Sequence, residues 1–316
     1  MSMLTREEKL LLHLKQDGKG VEIGASHAPI APKRAGYNVH IIDHATRDEL
    51  IAKYENENVK LENIEDVDFV WRGESYAELT GTSNHYDWII ASHVIEHVPN
   101  LVGFINACDE ILNDSGVLSL AVPDVRFCFD HFRPISGLSK VLDAHYQNHT
   151  VHTPGSIAEF TLNLVERDHE PGWAENTLLR DEYTFRNSPE TVAERLDDAL
   201  TGDGYVDCHA WCFTPHSFRL LMHDLFDLGL IKMREVGFFP SEGCEFYVAL
   251  SRNGKGGGMT RLELLKEIDR EYVRGSEAGD LVALGVTGVS KKTYRRARAV
   301  GGKGKRAIRK LLGLDK

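Results

Sequence analysis

Residues 86–100 read YDWIIASHVIEHVPN, an apolar run that delivers Ser92, His93, Glu96 and His97 in quick succession. A strand that only feeds a core usually leaves through Gly, Asn or Asp. Two imidazoles and a carboxylate at a strand-to-helix turn can instead line a ligand pocket or move a proton. In an open parallel sheet, ligands bind at the carboxyl ends of the strands. Upstream, VEIGASHAPI places Glu22 inside a strand and Gly24 and Ser26 in the turn after it, and IIDHA ends the next strand on Asp43. A turn that lets backbone approach a ligand, followed by a carboxylate able to accept both ribose hydroxyls, is a nucleoside-binding layout.

Two kinds of cofactor use that layout. A dinucleotide sets its pyrophosphate on a helix N-terminus and asks for G-x-G-x-x-G. Here the turn is Gly24-Ala25-Ser26-His27-Ala28-Pro29, with one glycine where three are wanted. S-adenosylmethionine carries no phosphate, so one glycine and a looser loop suffice.

The elements that must position these residues follow a rhythm of strands at 20–24, 37–44, 67–70, 87–92 and 116–124, with helical stretches at 47–56 and 101–112 between them. That alternation predicts a parallel, doubly wound α/β sheet. Residues 1–17 read as an amphipathic helix, with Thr5 as cap and Glu8 three residues on. Residues 125–205 show no clear strand and read as a mostly helical insertion. The rhythm resumes in a helix capped by Thr214 with Pro215 in its first turn. Two strands, 231–239 and 243–252, follow, joined by a turn at PSEG. Residues 253–258, NGKGGG, read as a linker, and 259–316 as an amphipathic helix and a basic tail. The division expected is therefore an N-terminal helix (1–17), a core (18–124 and 206–252), an insertion (125–205), a linker (253–258) and the tail (259–316).

The order VEIG, IIDH, VDFV, YDWIIASHVIEHVPN, ILNDSGVLSLAVPD resembles the class I S-adenosylmethionine-dependent methyltransferases, in particular the group with an EHV segment after the fourth strand. The likeness covers residues 18–124, and 206–252 match that family's last helix and strand pair. PDVRFCFDHFRP and HAWCFTPHSF are similar to bacterial members that sit among glycan-assembly enzymes. Ser26 stands where the family commonly has a second glycine.

The resemblance implies a Rossmann-like, mostly parallel, seven-stranded sheet with S-adenosyl-L-methionine as cofactor. It implies that Glu22, Gly24 and Ser26 shape the loop around the methionine moiety, that Asp43 binds the ribose, and that His44 lies beside the adenine. Val67 or Asp68 would meet the adenine amino group, with Ser92 and His93 beneath the sulfonium. His97 divides evenly between lining the cofactor and stitching the next helix, the role expected of Glu96.

Methyl transfer is largely alignment, but an alcohol acceptor must also lose a proton. The candidate bases are His93, Asp124 and His131, with a turn role as the competing reading of Asp124. Arg126 and Arg133 could hold an anionic group, and His209 and Trp211 could shape the acceptor site. His145, His149 and His152, near Asp143, share a helical spacing that could serve a metal; a solvated helix face or a lining of the acceptor pocket is the better reading, and no metal is expected. The function expected is O-methylation of a sugar or glycan intermediate. The alternatives are a silent scaffold for glycan-assembly partners and a nicotinamide-dependent sugar oxidoreductase.

The 316 residues carry 37 Lys and Arg against 48 Asp and Glu, a net charge of −11. From Ser290 onward Asp315 is the sole acid among many cations, so the body is more acidic than the total implies. An acidic body without a base-stacking platform argues against nucleic acid. The tail invites peripheral contact with an anionic membrane surface or a partner protein, and a solvated tail is the plainer reading. Five unpaired-looking cysteines, no signal-peptide core and no long apolar span point to the cytoplasm, at the inner face of the membrane if the tail binds there.

Overall fold

The computed structural model describes residues 4–167, 169–173, 183–202 and 205–274, of which 272–274 as backbone alone. Expectations about the basic tail beyond residue 274 lie outside these residues. In chain order the elements are α1 (Arg6–Leu11), β1 (Gly20–Ile23), β2 (Val39–Asp43), α2 (Arg47–Tyr54), β3 (Phe69–Val70), α3 (Tyr76–Thr80), β4 (Tyr86–Ser92), α4 (Leu101–Ile111) and β5 (Leu112–Pro123). Then come α5 (Leu138–Tyr146), α6 (Pro154–Asn163), β6 (Val165–Arg167), β7 (Tyr183–Phe185), α7 (Pro189–Thr201), α8 (Pro215–Asp227), β8 (Arg234–Glu242), β9 (Glu245–Ser251) and α9 (Arg261–Arg274).

Seven strands form one sheet in the order β3-β2-β1-β4-β5-β9-β8. The pairs among β1 to β5 are parallel, and β9 runs antiparallel to both β5 and β8. The chain winds outward from β1 to β3, then returns to β4 on the other side of β1. The crevice between the ends of β1 and β4 is therefore the topological switch point.

Both faces of the sheet are covered, so the central strands are apolar throughout. Ile89 and Ala91 of β4 join one core with α4 and α8, and Trp88 and Ile90 join the other with Leu10 and Leu11 of α1. Thr5 and Glu8 form the expected capping box on α1, a shorter helix than the sequence pattern implied. Ser119 Oγ donates to Leu10 O at 2.7 Å, pinning that helix to β5.

Three boundaries move. The insertion contains a short antiparallel pair, β6 with β7, where no strand was expected; three-residue strands are too short to show a period-two pattern. The PSEG turn is strand instead: β8 continues to Glu242 and the chain reverses at Gly243, which takes a φ of +66°. The 253–258 stretch packs against β8, with Gly256 N donating to Glu235 O at 3.1 Å. Helix α9 docks on α8, where Glu271 accepts from His216 Nδ1 at 2.6 Å.

Gly20 lies flat against an indole: a Cβ there would stand 2.1 Å from ring atoms of Trp88. Gly20→Ala is expected to destabilise the fold by about 1–3 kcal/mol through overpacking, read as a lowered urea midpoint with an unchanged slope.

Candidate active site

The loop leaving β1 is built around Glu22. Its carboxylate is buried and accepts from Ile30 N at 2.7 Å and Ala31 N at 3.0 Å. Burial pushes this carboxyl up to about 7, against the pull of those two N–H groups. Gly24 has a φ of +67° and leaves room for Val94, whose Cγ2 would lie 2.9 Å from an added Cβ. Ser26 takes a φ of +47° and donates from its N–H to Asp43 Oδ2 at 3.3 Å. Asp43 also accepts from His44 N at 2.7 Å, and His44 Nδ1 lies 2.6 Å from Oδ1. Glu22, Gly24, Ser26, Asp43 and His44 thus gather at one rim, as the layout required.

Val67 and Asp68 do not reach it. Asp68 pairs with Ile41, two rungs below the Asp43–Val70 pair. Its carboxylate is spent on Ile41 N at 2.7 Å and Lys33 Nζ at 2.5 Å. Strand β3 is only Phe69–Val70, so the rim there belongs to Trp71 and Arg72. Arg72 Nη1 donates to His44 O at 2.7 Å, which places it beside the expected adenine end.

At the exit of β4, His93 adopts a left-handed φ of +54°. Its Nε2 lies 2.7 Å from Glu245 Oε2 and its Nδ1 lies 3.5 Å from Glu96 Oε1. Burial opposes a charge there, but the two carboxylates outweigh it and lift His93 to about 9. An imidazolium at neutral pH cannot accept a proton, so His93 is removed as a general base and stands as a cation at the rim. Glu245 is shared further: Arg6 Nε donates to Oε1 at 2.6 Å and Tyr247 Oη at 2.9 Å. Burial would raise this carboxyl, yet the bonds from His93 and Arg6 pull it down to about 2. Arg6 Nη2 also donates to Ser92 Oγ at 2.6 Å. Neither Arg6 nor Glu245 stood out in the sequence, since each is far in the chain from the motif it completes.

Asp124 is likewise corrected. It is fully buried and bidentate with Arg126, at 2.9 Å from Nε and 2.5 Å from Nη2, and it accepts from Ser241 Oγ and Arg126 N. Every lone pair is used in capping the turn at Val125–Phe127, so the turn reading holds and the base reading does not. Arg126 is correspondingly tied to its neighbour rather than offered to a substrate anion.

Arg133 and His209 are buried partners of Asp130: Arg133 Nη1 is 2.7 Å from Oδ1 and His209 Nδ1 is 2.5 Å from Oδ2. Trp211 is buried, with Nε1 donating to Val98 O at 2.6 Å. Arg133 and His209 fasten the insertion to the core through Asp130, Trp211 ties two core segments together, and none of the three is a free side chain. His97 donates from Nδ1 to Asp207 Oδ1 at 2.8 Å. The helical trio does not assemble: α5 ends at Tyr146, before His149 and His152, and burial pushes His152 down to about 4.

His131 sits in an aromatic wall of the insertion. Its Nδ1–H donates to Arg126 O at 2.8 Å, and its Nε2 lies 3.3 Å from Tyr183 Oη. Its ring stacks on Tyr183 at 5.0 Å, with Trp173 at 5.6 Å and Phe132 at 4.9 Å. Burial lowers its proton affinity, opposed by the bond to Arg126 O, so it is neutral at pH 7.

A switch-point crevice flanked by a single-glycine loop and the buried Asp43 carboxylate defines an α/β protein of Rossmann-like form. A family model described as a methyltransferase domain matches residues 4–225. The chain belongs to this methyltransferase family, and its cofactor is S-adenosylmethionine. Curated proteins give no match. Among solved structures it is similar to a SAM-dependent methyltransferase from Aquifex aeolicus, at 14% identity over 78% of this chain and 89% of that one, with a TM-score of 0.37. It is also similar to a possible histamine N-methyltransferase from Thermotoga maritima, at 19% identity over 38% and 51% with a TM-score of 0.28. The trans-methyltransferase CalH, solved with S-adenosylhomocysteine, is 14% identical over 77% and 53% with a TM-score of 0.35. The chain spans about half the length of the last two. Scores this low bear on neither reaction nor substrate.

The His93–Glu245 pair sets a pH window. A histidine raised from 6.5 to about 9 stabilises the fold fully below 6.5 and loses that contribution as pH rises through 9. A carboxylate lowered from 4.5 to about 2 stabilises above 4.5 and loses it as pH falls towards 2. His93→Gln is therefore expected to flatten the decline in urea stability between pH 6.5 and 9, measured against the parent chain in matched buffers.

Proposed function

We propose that this methyltransferase transfers its methyl group to a hydroxyl of a sugar or glycan intermediate, with His131 taking the proton. The observation that carries the reading is the state of His131. Its Nδ1–H is committed to a backbone carbonyl, which leaves the Nε2 lone pair facing the Tyr183 hydroxyl across a long 3.3 Å, and the neutral ring is held among Tyr183, Trp173 and Phe132. A neutral, oriented imidazole is what an alcohol acceptor needs and an amine acceptor needs less. Aromatic faces beside a polar group suit the mixed surface of a sugar ring. Phe132, half exposed, leaves part of that wall open to solvent.

Of the other candidates, His93 is cationic and Asp124 is saturated, so the base role falls to the loop after β5. The cationic His93 lies at the exit of β4, where its partners Glu245 and Glu96 offset its charge beside a sulfonium. Support for the cofactor end is the rim formed by Gly24, Ser26 and Asp43, which has one glycine and so favours a nucleoside without pyrophosphate. The basic tail is proposed as a peripheral contact for an anionic surface or partner; among the described residues no helix is long and apolar enough to cross a membrane.

Calorimetry with S-adenosylhomocysteine checks the cofactor end: Asp43→Ala should weaken binding about 100-fold or more, since two charge-assisted hydrogen bonds to the ribose are lost. His131→Gln should keep that affinity and lower turnover by about 10²–10⁴-fold. The acceptor is read by mass spectrometry of glycans from cells with and without the gene, where one lost methyl increment marks the product. Cofactor binding with no methylated carbohydrate in any fraction would favour the scaffold alternative and end the sugar reading.

A further inference from the structure

We propose that Glu96, His97 and His209 form a binding site for one divalent transition-metal ion. One nitrogen from each imidazole and one oxygen of Glu96 lie within 4.8 Å of one another, a grouping that brings two distant segments of the chain together.

The Glu96 carboxylate gives the independent sign. The residue is 1% exposed, and both of its oxygens are buried without a hydrogen bond. His93 Nδ1 stands 3.5 Å from Oε1, near enough for charge attraction but not for a formed bond. His93 thus supplies charge but no hydrogen bond, and the lone pairs of both buried oxygens stay open to a ligand bond.

The two imidazoles carry the carboxylate supports that metal-binding histidines use. His97 donates from Nδ1 to Asp207 at 2.8 Å, and His209 donates from Nδ1 to Asp130 at 2.5 Å. Each carboxylate fixes the tautomer and leaves the lone pair on Nε2, which is the arrangement metal-binding histidines show. Both supports are themselves held: Asp130 by Arg133 at 2.7 Å, and Asp207 by Tyr205 Oη at 3.3 Å.

The backbone holds the two segments together as well. Glu96 O accepts from Ala210 N at 2.7 Å and Trp211 N at 3.3 Å. The His97 and His209 rings meet edge to face at 4.5 Å. Ligand bonds of about 2.0–2.1 Å put neighbouring donors about 3.4 Å apart in a tetrahedral site. Small side-chain rotations would close the trio onto an ion.

Two imidazoles and one carboxylate suit Zn²⁺, Mn²⁺, Fe²⁺ or Co²⁺ better than Ca²⁺. Three protein ligands leave a position open for water or a hydroxyl. Using that position to polarise an acceptor hydroxyl rests on the O-methylation reading; holding the ion does not.

The test is a titration of chelator-treated full-length protein with Co²⁺, followed by visible ligand-field absorption, with Zn²⁺ and Mn²⁺ followed by calorimetry. One equivalent should bind. His97→Gln and Glu96→Gln should abolish the Co²⁺ bands. Asp207→Asn, a change at an exposed side chain, should weaken binding about 10-fold or more while circular dichroism stays unchanged. His149→Gln should bind as the parent does.

Absence of one-equivalent binding for all three ions would overturn the site. So would parent-like affinity in both His97→Gln and Asp207→Asn. No acceptor enters this titration, so failure of the metal site and failure of the sugar reading are seen separately.

Discussion

One carboxylate holds the cofactor rim together. Glu245 begins β9, the reversed strand, and receives Arg6 from α1, His93 from the exit of β4 and Tyr247 from its own strand. A parallel sheet can align strand ends but cannot by itself tie them together, since the pairing stops where the strands stop. Here the antiparallel strand starts at the rim where β5 ends, Glu245 facing Pro123. Its first side chain can therefore cross over to the β4 turn. The left-handed φ of His93 is supported by the two carboxylates that its ring meets. The price of burying so many charges is met by their mutual pairing, which explains why the Glu245 carboxyl sits so low and the His93 imidazole so high.

A second buried network does the corresponding work for the insertion. Asp130 lies between Arg133 and His209, and Arg133 Nη2 also donates to His209 O at 2.8 Å. The insertion is thereby referenced to the segment that precedes α8, close to Glu96. Its two small cores, around Phe160 and around Trp173, are separate from those of the main sheet. Helix α5, however, joins the main apolar core through Val141 and Ala144, so the insertion is positioned by shared packing as well as by hydrogen-bonded charge. Removing one member of such a buried set leaves another charge without a partner, which costs more than the pair contributed.

The sheet was legible because both its faces are covered: apolar runs such as Trp88-Ile89-Ile90-Ala91 announce buried strands whatever their neighbours. The Asp43 carboxylate and the Gly24 turn were legible because a few adjacent residues make that geometry. The adenine side was misplaced because β3 is two residues long, so a strand read from Val67 put Asp68 too near the rim. Asp124 and His93 have the residue types of bases, and only their partners disqualify them. Those partners, Arg126 and Ser241 for the one and Glu245 for the other, include residues more than a hundred positions away. Distance in the chain likewise hid the grouping of His209 with Glu96 and His97, which no local spacing could show. The short pair β6 and β7 escaped because three residues carry no periodicity.

The small size of α1 has a practical side. This six-residue helix delivers a guanidinium to Ser92 and Glu245 and is fastened by two leucines and by Lys9 against Glu242. Whatever is joined ahead of Thr5 is thus only a few residues from the Glu245 cluster. Clipping the first turn would take Arg6 away from Ser92 and Glu245.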